Sequence, residues 1–237
     1  MLSILRQLPN PPLDKLGWPW TEETSSSVYE ELSSWPRISI VTPSFNQGKF
    51  IEETIRSVLL QNYPNLEYII IDGGSTDNTL KIIEKYDLNI ATIVSEPDNG
   101  LYHALNKGIE LSNGDLIGIM HSDDVFYDEK TLSAIVETVR SKNVDAVWGD
   151  VVFIDKKDDC KIKRHYRADK ISPNSFKKGI MPPHTSIYIK KIYYDKLGVF
   201  NLKYRIAADY DLALRFFLLN KLTYAYIPKI IVKMREG

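Results

Sequence analysis

The chain has a single cysteine, Cys160, in 237 residues. An internal disulfide needs two, so no disulfide framework holds this fold, and the usage suits a reducing compartment. An excess of charge is also missing: 30 Lys and Arg stand against 31 Asp and Glu, a formal net charge of −1. A chain built to grip a nucleic-acid backbone carries a basic surplus, so nucleic acid is not an expected partner. Long apolar runs are absent. Stretches such as 69–71 and 216–219 fall far short of the roughly 20 residues that span a bilayer. No basic segment followed by an apolar one opens the chain, so no secretory leader is expected. Neither G-x-G-x-x-G nor G-x-x-x-x-G-K-[ST] occurs, which disfavours the usual dinucleotide fold and the P-loop nucleotidases. What remains is ordinary globular composition, 43% hydrophobic and 26% charged, with enough apolar material for a large core.

Residues 1–36 differ in character from the rest of the chain. Asn10-Pro11-Pro12, Gly17-Trp18-Pro19-Trp20 and Ser25-Ser26-Ser27 are breakers and turn formers. The stretch reads as an N-terminal arm, either packed on the domain through Trp18, Trp20 and Trp35 or poorly ordered. From residue 37 a regular alternation begins. Residues 38–41, 68–71, 90–94 and 116–120 are β-branched or apolar runs that end at turn residues, the mark of buried strands. Between them Ile51, Ile55, Val58 and Leu59, then Leu80, Ile83 and Tyr86, then Leu101, Leu105 and Ile109 recur at helical spacing. Such a βαβαβαβ order implies an α/β fold, a parallel sheet with helices on both faces. This half, about 37–124, is expected to carry the ligand. The other, about 125–237, is less regular, with strands expected at 146–148, 151–154 and 185–189 and an apolar helix at 209–220.

In open α/β sheets ligands bind beyond the carboxyl ends of the strands. Four such ends here are polar: Thr42-Pro43-Ser44-Phe45-Asn46, Asp72-Gly73-Gly74-Ser75, Ser95-Glu96-Pro97-Asp98-Asn99-Gly100 and His121-Ser122-Asp123-Asp124. Adjacent Asp123 and Asp124 after a buried strand suit a hard cation such as Mg²⁺ or Mn²⁺. The plainer alternative is that Asp124 caps a following helix. Lys156, Lys157, Lys161, Lys163, Arg164 and Arg167 cluster in a short span. They read as a solvated hairpin or as peripheral contact with anionic lipid headgroups.

The ordered motifs resemble those of the family 2 glycosyltransferases, nucleotide-sugar-dependent enzymes of the GT-A fold. The resemblance rests on residues 38–48, 70–79, 95–100, 104–108, 113–115 and 122–124, on His184-Thr185-Ser186, and on residues 208–215. It implies a Rossmann-like, mostly parallel sheet with a small acceptor-side extension. It also implies an inverting transfer of sugar from a nucleoside-diphosphate sugar to a saccharide or lipid-linked acceptor, in surface polysaccharide or glycolipid assembly. The setting it implies is cytoplasmic, at the inner face of the membrane. Pro43, Ser44, Asn46 and Asp72 would surround the base and ribose. Asn106 and Lys107 would lie near the diphosphate or sugar. Ser122 and Asp123 would belong to the D-x-D metal motif, with Asp123 the principal ligand to Mn²⁺ or Mg²⁺, Asp124 a second, and His184 near the diphosphate or metal. Asp209 would be the catalytic base, with Asp211 its competitor. The sequence departs from the family pattern at His121, Gly73 and His103, where Asp is common, and at Ala208, where Glu is common. Two other functions stay open at this point: a nucleotidyltransferase, although residues 42–48 contain no Lys or Arg, and a non-catalytic sugar- or nucleotide-binding module.

Overall fold

A computed structural model describes residues 3–29, 35–156, 158 and 161–236. Cys160 and Lys157 lie outside them. The elements follow the expected alternation: β1 (Ile38–Ser44), α1 (Ile51–Leu59), β2 (Leu66–Asp72), α2 (Thr79–Ile83), β3 (Thr92–Ser95), α3 (Leu101–Leu111) and β4 (Leu116–Ile119). Then come β5 (Val125–Phe126), α4 (Thr131–Lys142), β6 (Ala146–Ile154), β7 (Ile162–Tyr166), α5 (Pro173–Phe176), β8 (Ile187–Lys190), α6 (Lys191–Leu197), α7 (Ala208–Ala213) and β9 (Tyr224–Arg235).

One nine-stranded sheet runs through both halves in the order β3-β2-β1-β4-β8-β6-β9-β5, with β7 beside β6. β3, β2, β1 and β4 are parallel. β8 then pairs antiparallel with β4 and with β6. β1 is buried along its whole length, because helices cover both faces. Ile40 and Ile70 face one apolar cluster with α1 and α4, while Val41 and Ile117 face a second with α3 and α7. Each fully buried aliphatic side chain contributes about 1.5–3 kcal/mol. α3 lies close on β1 because Gly108 has no side chain: a Cβ there would sit 2.2 Å from Val41 Cγ1.

Three expectations change. The strands expected at 146–148 and 151–154 are one strand, β6, which runs through Gly149 and Asp150. Residues 184–186 are a 3₁₀ turn that leads into β8 rather than its first residues. The apolar helix at 209–220 is α7 followed by a π-helical turn (Leu214–Leu219). Its wider winding sets the consecutive Phe216 and Phe217 both in the core.

The described part of the arm is packed. Arg56 of α1 is fully buried and donates to the carbonyls of Pro9 (2.9 Å), Pro19 (3.3 Å) and Trp20 (2.5 Å), all in the arm. Trp18 Nε1 donates to Phe126 O at 2.9 Å. Trp35, Tyr29 and Tyr63 meet edge to face, with centroids 4.9–5.7 Å apart. Among the described residues no helix is long and apolar enough to cross a membrane.

Candidate active site

The carboxyl ends of β1, β2 and β4 open on a cleft of about 730 Å³, within the range of small-molecule sites. Pro43, Ser44, Ser122 and Asp123, four of the residues expected at the donor, line it. Ser44 Oγ is buried there with no hydrogen-bond partner in the described structure, so it has bonding capacity for a ligand.

Four expected donor contacts are engaged elsewhere and do not line this cleft. Asp72 is fully buried. Its Oδ2 accepts from Gly74 N (3.0 Å), Ser75 N (2.8 Å) and Ser95 Oγ (2.8 Å), and its Oδ1 from Ser75 Oγ (2.5 Å). Three of these donors are on Oδ2 and one is on Oδ1, so Asp72 ties the Gly73-Gly74 turn together, with a lone pair left open on Oδ1. Asn46 sits at φ +53°, and its Oδ1 accepts from Thr76 N at 2.9 Å, which ties one loop to the next. Asn106 is buried and exchanges two hydrogen bonds, each 2.9 Å, with the backbone of Phe200. Lys107 is ion-paired with Glu96.

Three residues that the motifs did not single out enter the site. Asp98 lines the cleft and occupies the space a side chain at position 73 would need: a Cβ on Gly73 would meet Asp98 Oδ2 at 2.9 Å. The signal for it was the Pro97-Asp98-Asn99-Gly100 turn at a strand end. Tyr102 is the second, and its hydroxyl donates to Asp209. Arg235, at the end of β9, is the third. Its backbone N donates to Asp124 Oδ1 (3.2 Å), and its guanidinium to Asp123 O (2.6 Å) and Glu53 Oε2 (2.7 Å). No local signal pointed to it, because Arg235 is 111 residues from Asp124.

His121, Asp123 and Asp124 each offer one ligand atom, and these atoms lie within 4.8 Å of one another. Asp124 is buried, and its Oδ2 has no hydrogen-bond partner. It caps no helix, since α4 opens only at Thr131. Burial pushes the pKa of Asp123 up, and burial together with the Asp123 charge pushes Asp124 well above the ordinary carboxylate value. Two crowded carboxylates, one with an orphaned buried oxygen, are a donor set that a divalent cation would satisfy. The residues therefore fit the metal that the sequence motif implies.

Deeper along the same edge, His121 Nε2 and His184 Nε2 are 2.7 Å apart, and His184 Nδ1 is 3.3 Å from Asp209 Oδ2. Asp209 Oδ1 accepts from Tyr102 Oη (3.1 Å) and Tyr210 N (2.9 Å). Burial alone would raise the Asp209 pKa. The hydrogen bond and charge of His184, with the Tyr210 and Tyr102 donors, outweigh it and hold the group at about 2. Burial, with His184 beside it, pushes His121 down to about 3, so His121 is neutral at ordinary pH. Asp211, the rival carboxylate, is bound to Arg215 at 2.8 Å. On its far side Asp209 borders an open hollow of about 500 Å³ lined by Tyr102, Gly179, Met181, Ile206, Ala207 and Tyr210.

Comparison with known proteins identifies the family and the fold. The family model described as "Glycosyl transferase family 2" matches residues 39–198. A PGL/p-HBAD biosynthesis glycosyltransferase of Mycobacterium bovis is 27% identical over 205 residues, covering 85% of this chain and 77% of the relative. An uncharacterised glycosyltransferase of Mycobacterium tuberculosis is 31% identical over 193 residues, covering 78% and 70%. Among solved structures, residues 1–349 of Staphylococcus aureus TarS in complex with UDP-GlcNAc superpose with a TM-score of 0.71 at 18% identity, over 85% of this chain and 59% of that one. The mannosyltransferase PcManGT of Pyrobaculum calidifontis, in complex with GDP-Man and Mn²⁺, superposes with a TM-score of 0.63 at 18% identity, over 98% and 62%. The chain thus spans about three fifths of the length of these structural neighbours, which share its GT-A fold.

Proposed function

This chain belongs to glycosyl transferase family 2, and from that premise we propose that it moves a sugar from a nucleoside-diphosphate sugar to an acceptor hydroxyl, with inversion at the anomeric carbon. The donor takes the cleft lined by Pro43, Ser44, Asp98, Ser122 and Asp123, and the acceptor takes the hollow beside Tyr102 and Tyr210. The observation that carries the reading is the position of Asp209. It borders the acceptor hollow on one side and connects through His184 to His121 of the donor cleft on the other. Donor complexes of the neighbours with UDP-GlcNAc and GDP-Man support a nucleotide-sugar donor.

Asp123 and Asp124 would hold Mn²⁺ or Mg²⁺, which when bound neutralises charge developing on the departing diphosphate. Asp209 takes the acceptor proton as the acceptor oxygen attacks the anomeric carbon and the bond to the diphosphate oxygen breaks. A carboxylate held near 2 stays ionised at any working pH. It is a weak base, but the hydroxyl proton grows acidic as attack advances, so transfer occurs late. Tyr102 and His184 keep the carboxylate aimed into the hollow. A bound acceptor would fill the hollow and displace water that would otherwise hydrolyse the donor. The product would enter surface polysaccharide or glycolipid assembly, on the cytoplasmic side of a membrane.

The test is Asp209→Asn. Asn keeps the shape and accepts from His184 but cannot take a proton. Nucleotide binding should persist while transfer falls about 10²–10⁴-fold. Asp211→Asn, which touches the Arg215 pair, should keep most of the transfer rate. Equal activity of Asp209→Asn and the parent, on a verified acceptor, would remove Asp209 as the base.

A further inference from the structure

We infer that the two loops beside the acceptor hollow, residues 177–181 and 201–207, form a surface that docks on an anionic lipid bilayer, so that the acceptor hydroxyl reaches Asp209 on a membrane-borne amphiphile. The inference rests on the reading of the hollow as the acceptor site and deepens it. It also moves the lipid contact that the sequence suggested for residues 156–167 to different residues.

The composition of the two loops is unlike that of the chain. Lys177-Lys178-Gly179-Ile180-Met181 and Asn201-Leu202-Lys203-Tyr204-Arg205-Ile206-Ala207 hold four cations, five large apolar side chains and no acid. The whole chain, with 30 basic and 31 acidic residues, has no such imbalance. Residues 177–180 and 202–207 are exposed without a break. Ile206 is 84% exposed, and Ile180, Leu202 and Tyr204 are about half exposed. Single apolar side chains are ordinary on a surface, but four beside one hollow make a patch. Lys177, Lys178, Lys203 and Arg205 form no ion pair among the described residues. The cations of the 156–167 stretch differ. Lys163 pairs with Asp155 at 2.9 Å, Arg167 pairs with Asp169 at 3.0 Å, and Arg164 lies over the Phe153 ring at 4.0 Å.

The fold holds this patch beside the reacting group. Gly179 and Met181 of the first loop and Ile206 and Ala207 of the second line the hollow with Asp209. Tyr210 Oη donates to Phe176 O and Tyr166 Oη to Met181 O (3.0 Å), which ties the first loop to α7 and β7. In the second, Tyr204 N donates to Asn201 O at 3.0 Å and closes a turn. Apart from Asp209, the lining of the hollow carries no charged side chain. The anion that these loops recognise therefore lies at the rim, and the group beside Asp209 is uncharged. A soluble polyanion would engage the cations and leave the apolar side chains in water. A bilayer engages both: apolar residues enter the boundary between headgroups and acyl chains, while Lys and Arg meet anionic headgroups. Each cation near such a surface raises affinity about fivefold.

Sedimentation with vesicles of phosphatidylcholine, with and without phosphatidylglycerol, tests the surface in the absence of donor and metal. Wild type should bind the phosphatidylglycerol vesicles, leave them in high salt, and not bind phosphatidylcholine alone. Changing Lys177, Lys178, Lys203 and Arg205 together to Gln should lower affinity about a hundredfold or more. Ile180→Ser with Leu202→Ser should lower it about tenfold. Circular dichroism should show both variants folded, and Lys161→Gln with Lys163→Gln should leave binding unchanged. Ile206→Trp should be quenched by brominated acyl chains beyond the parent's own four tryptophans. Wild type that does not bind phosphatidylglycerol vesicles overturns the inference, as does binding that the fourfold Gln variant retains. Dextran sulfate bound as tightly as vesicles, with no quenching of Ile206→Trp, also overturns it and points to an anionic polymer. Each of these failures leaves sugar transfer standing, because Asp209→Asn reads that separately.

Discussion

At the scale of single residues, the chemistry of a carboxylate here depends on how many donors already surround it. Asp72, Asp209, Asp211 and Asp124 are all Asp near strand ends or helix starts, yet they have different tasks. Asp72 has four donors and shapes a turn. Asp211 has Arg215. Asp209 has two donors beside His184 and an open hollow in front. Asp124 retains an orphaned oxygen beside a second carboxylate. Asp72 and Ser44 should therefore respond differently to truncation. Asp72→Ala removes the shared acceptor of four donors in a half-buried turn, so urea unfolding should show a loss of about 1.5–3 kcal/mol, the range for a bond to a charged group. Ser44→Ala removes a hydroxyl with no protein partner, so stability should hold while nucleotide affinity falls. Unchanged stability in Asp72→Ala would mean that these bonds do not hold the turn.

At the scale of elements, the N-terminal arm and α1 are joined by a charge with carbonyl partners. Arg56 places its guanidinium among Pro9 O, Pro19 O, Trp20 O and Tyr86 Oη, and stacks on Trp20 at 5.6 Å. Arg56→Met keeps the length of the side chain and removes the donors. Three arm carbonyls then lose partners, at about 1–3 kcal/mol for each group left buried and unpaired. The expected result is a loss of at least about 3 kcal/mol in denaturant, together with faster amide exchange through residues 9–20. Exchange unaltered in the arm would mean that the tryptophans alone hold it. The arm's turn formers and its tryptophans were visible in the sequence, but whether they docked was not. The deciding partner, Arg56, lies 47 residues from Pro9 and carries no pattern that separates it from a surface arginine.

At the scale of the whole molecule, the cleft belongs to the sheet edge rather than to any one segment. Its lining comes from loops after β1, β2, β3 and β4, and the Asp123 carbonyl and the Asp124 carboxylate beside it accept from Arg235 of β9. Ligand binding should therefore stabilise the whole fold. A nucleoside diphosphate with Mn²⁺, at 100 times its Kd, should add about 2.7 kcal/mol, which is several degrees of melting temperature for a chain of this size. Asp123→Ala should abolish the Mn²⁺-dependent part of the shift. A shift that persists undiminished in that variant would place the metal elsewhere.

The order of strands and helices in the first half was legible because buried parallel strands are apolar throughout and end in turns, and that pattern is local. The polar strand ends and the Asp123-Asp124 pair were legible for the same reason, each being a short motif at a local boundary, whereas Asp209 came forward through the family resemblance. The second half was less so: β6 passes through Gly149 and Asp150, which read as a break until Asp150 is seen to accept from Ala168 N and Tyr226 Oη. Which candidates are available for ligand was decided only by tertiary structure. Availability depends on partners brought from far along the chain: His184 onto His121 across 63 residues, Phe200 onto Asn106 across 94, and Arg235 onto Asp124 across 111. A motif names a residue type and a strand end, whereas hydrogen-bond capacity is exhausted or left open by whatever the fold packs against it.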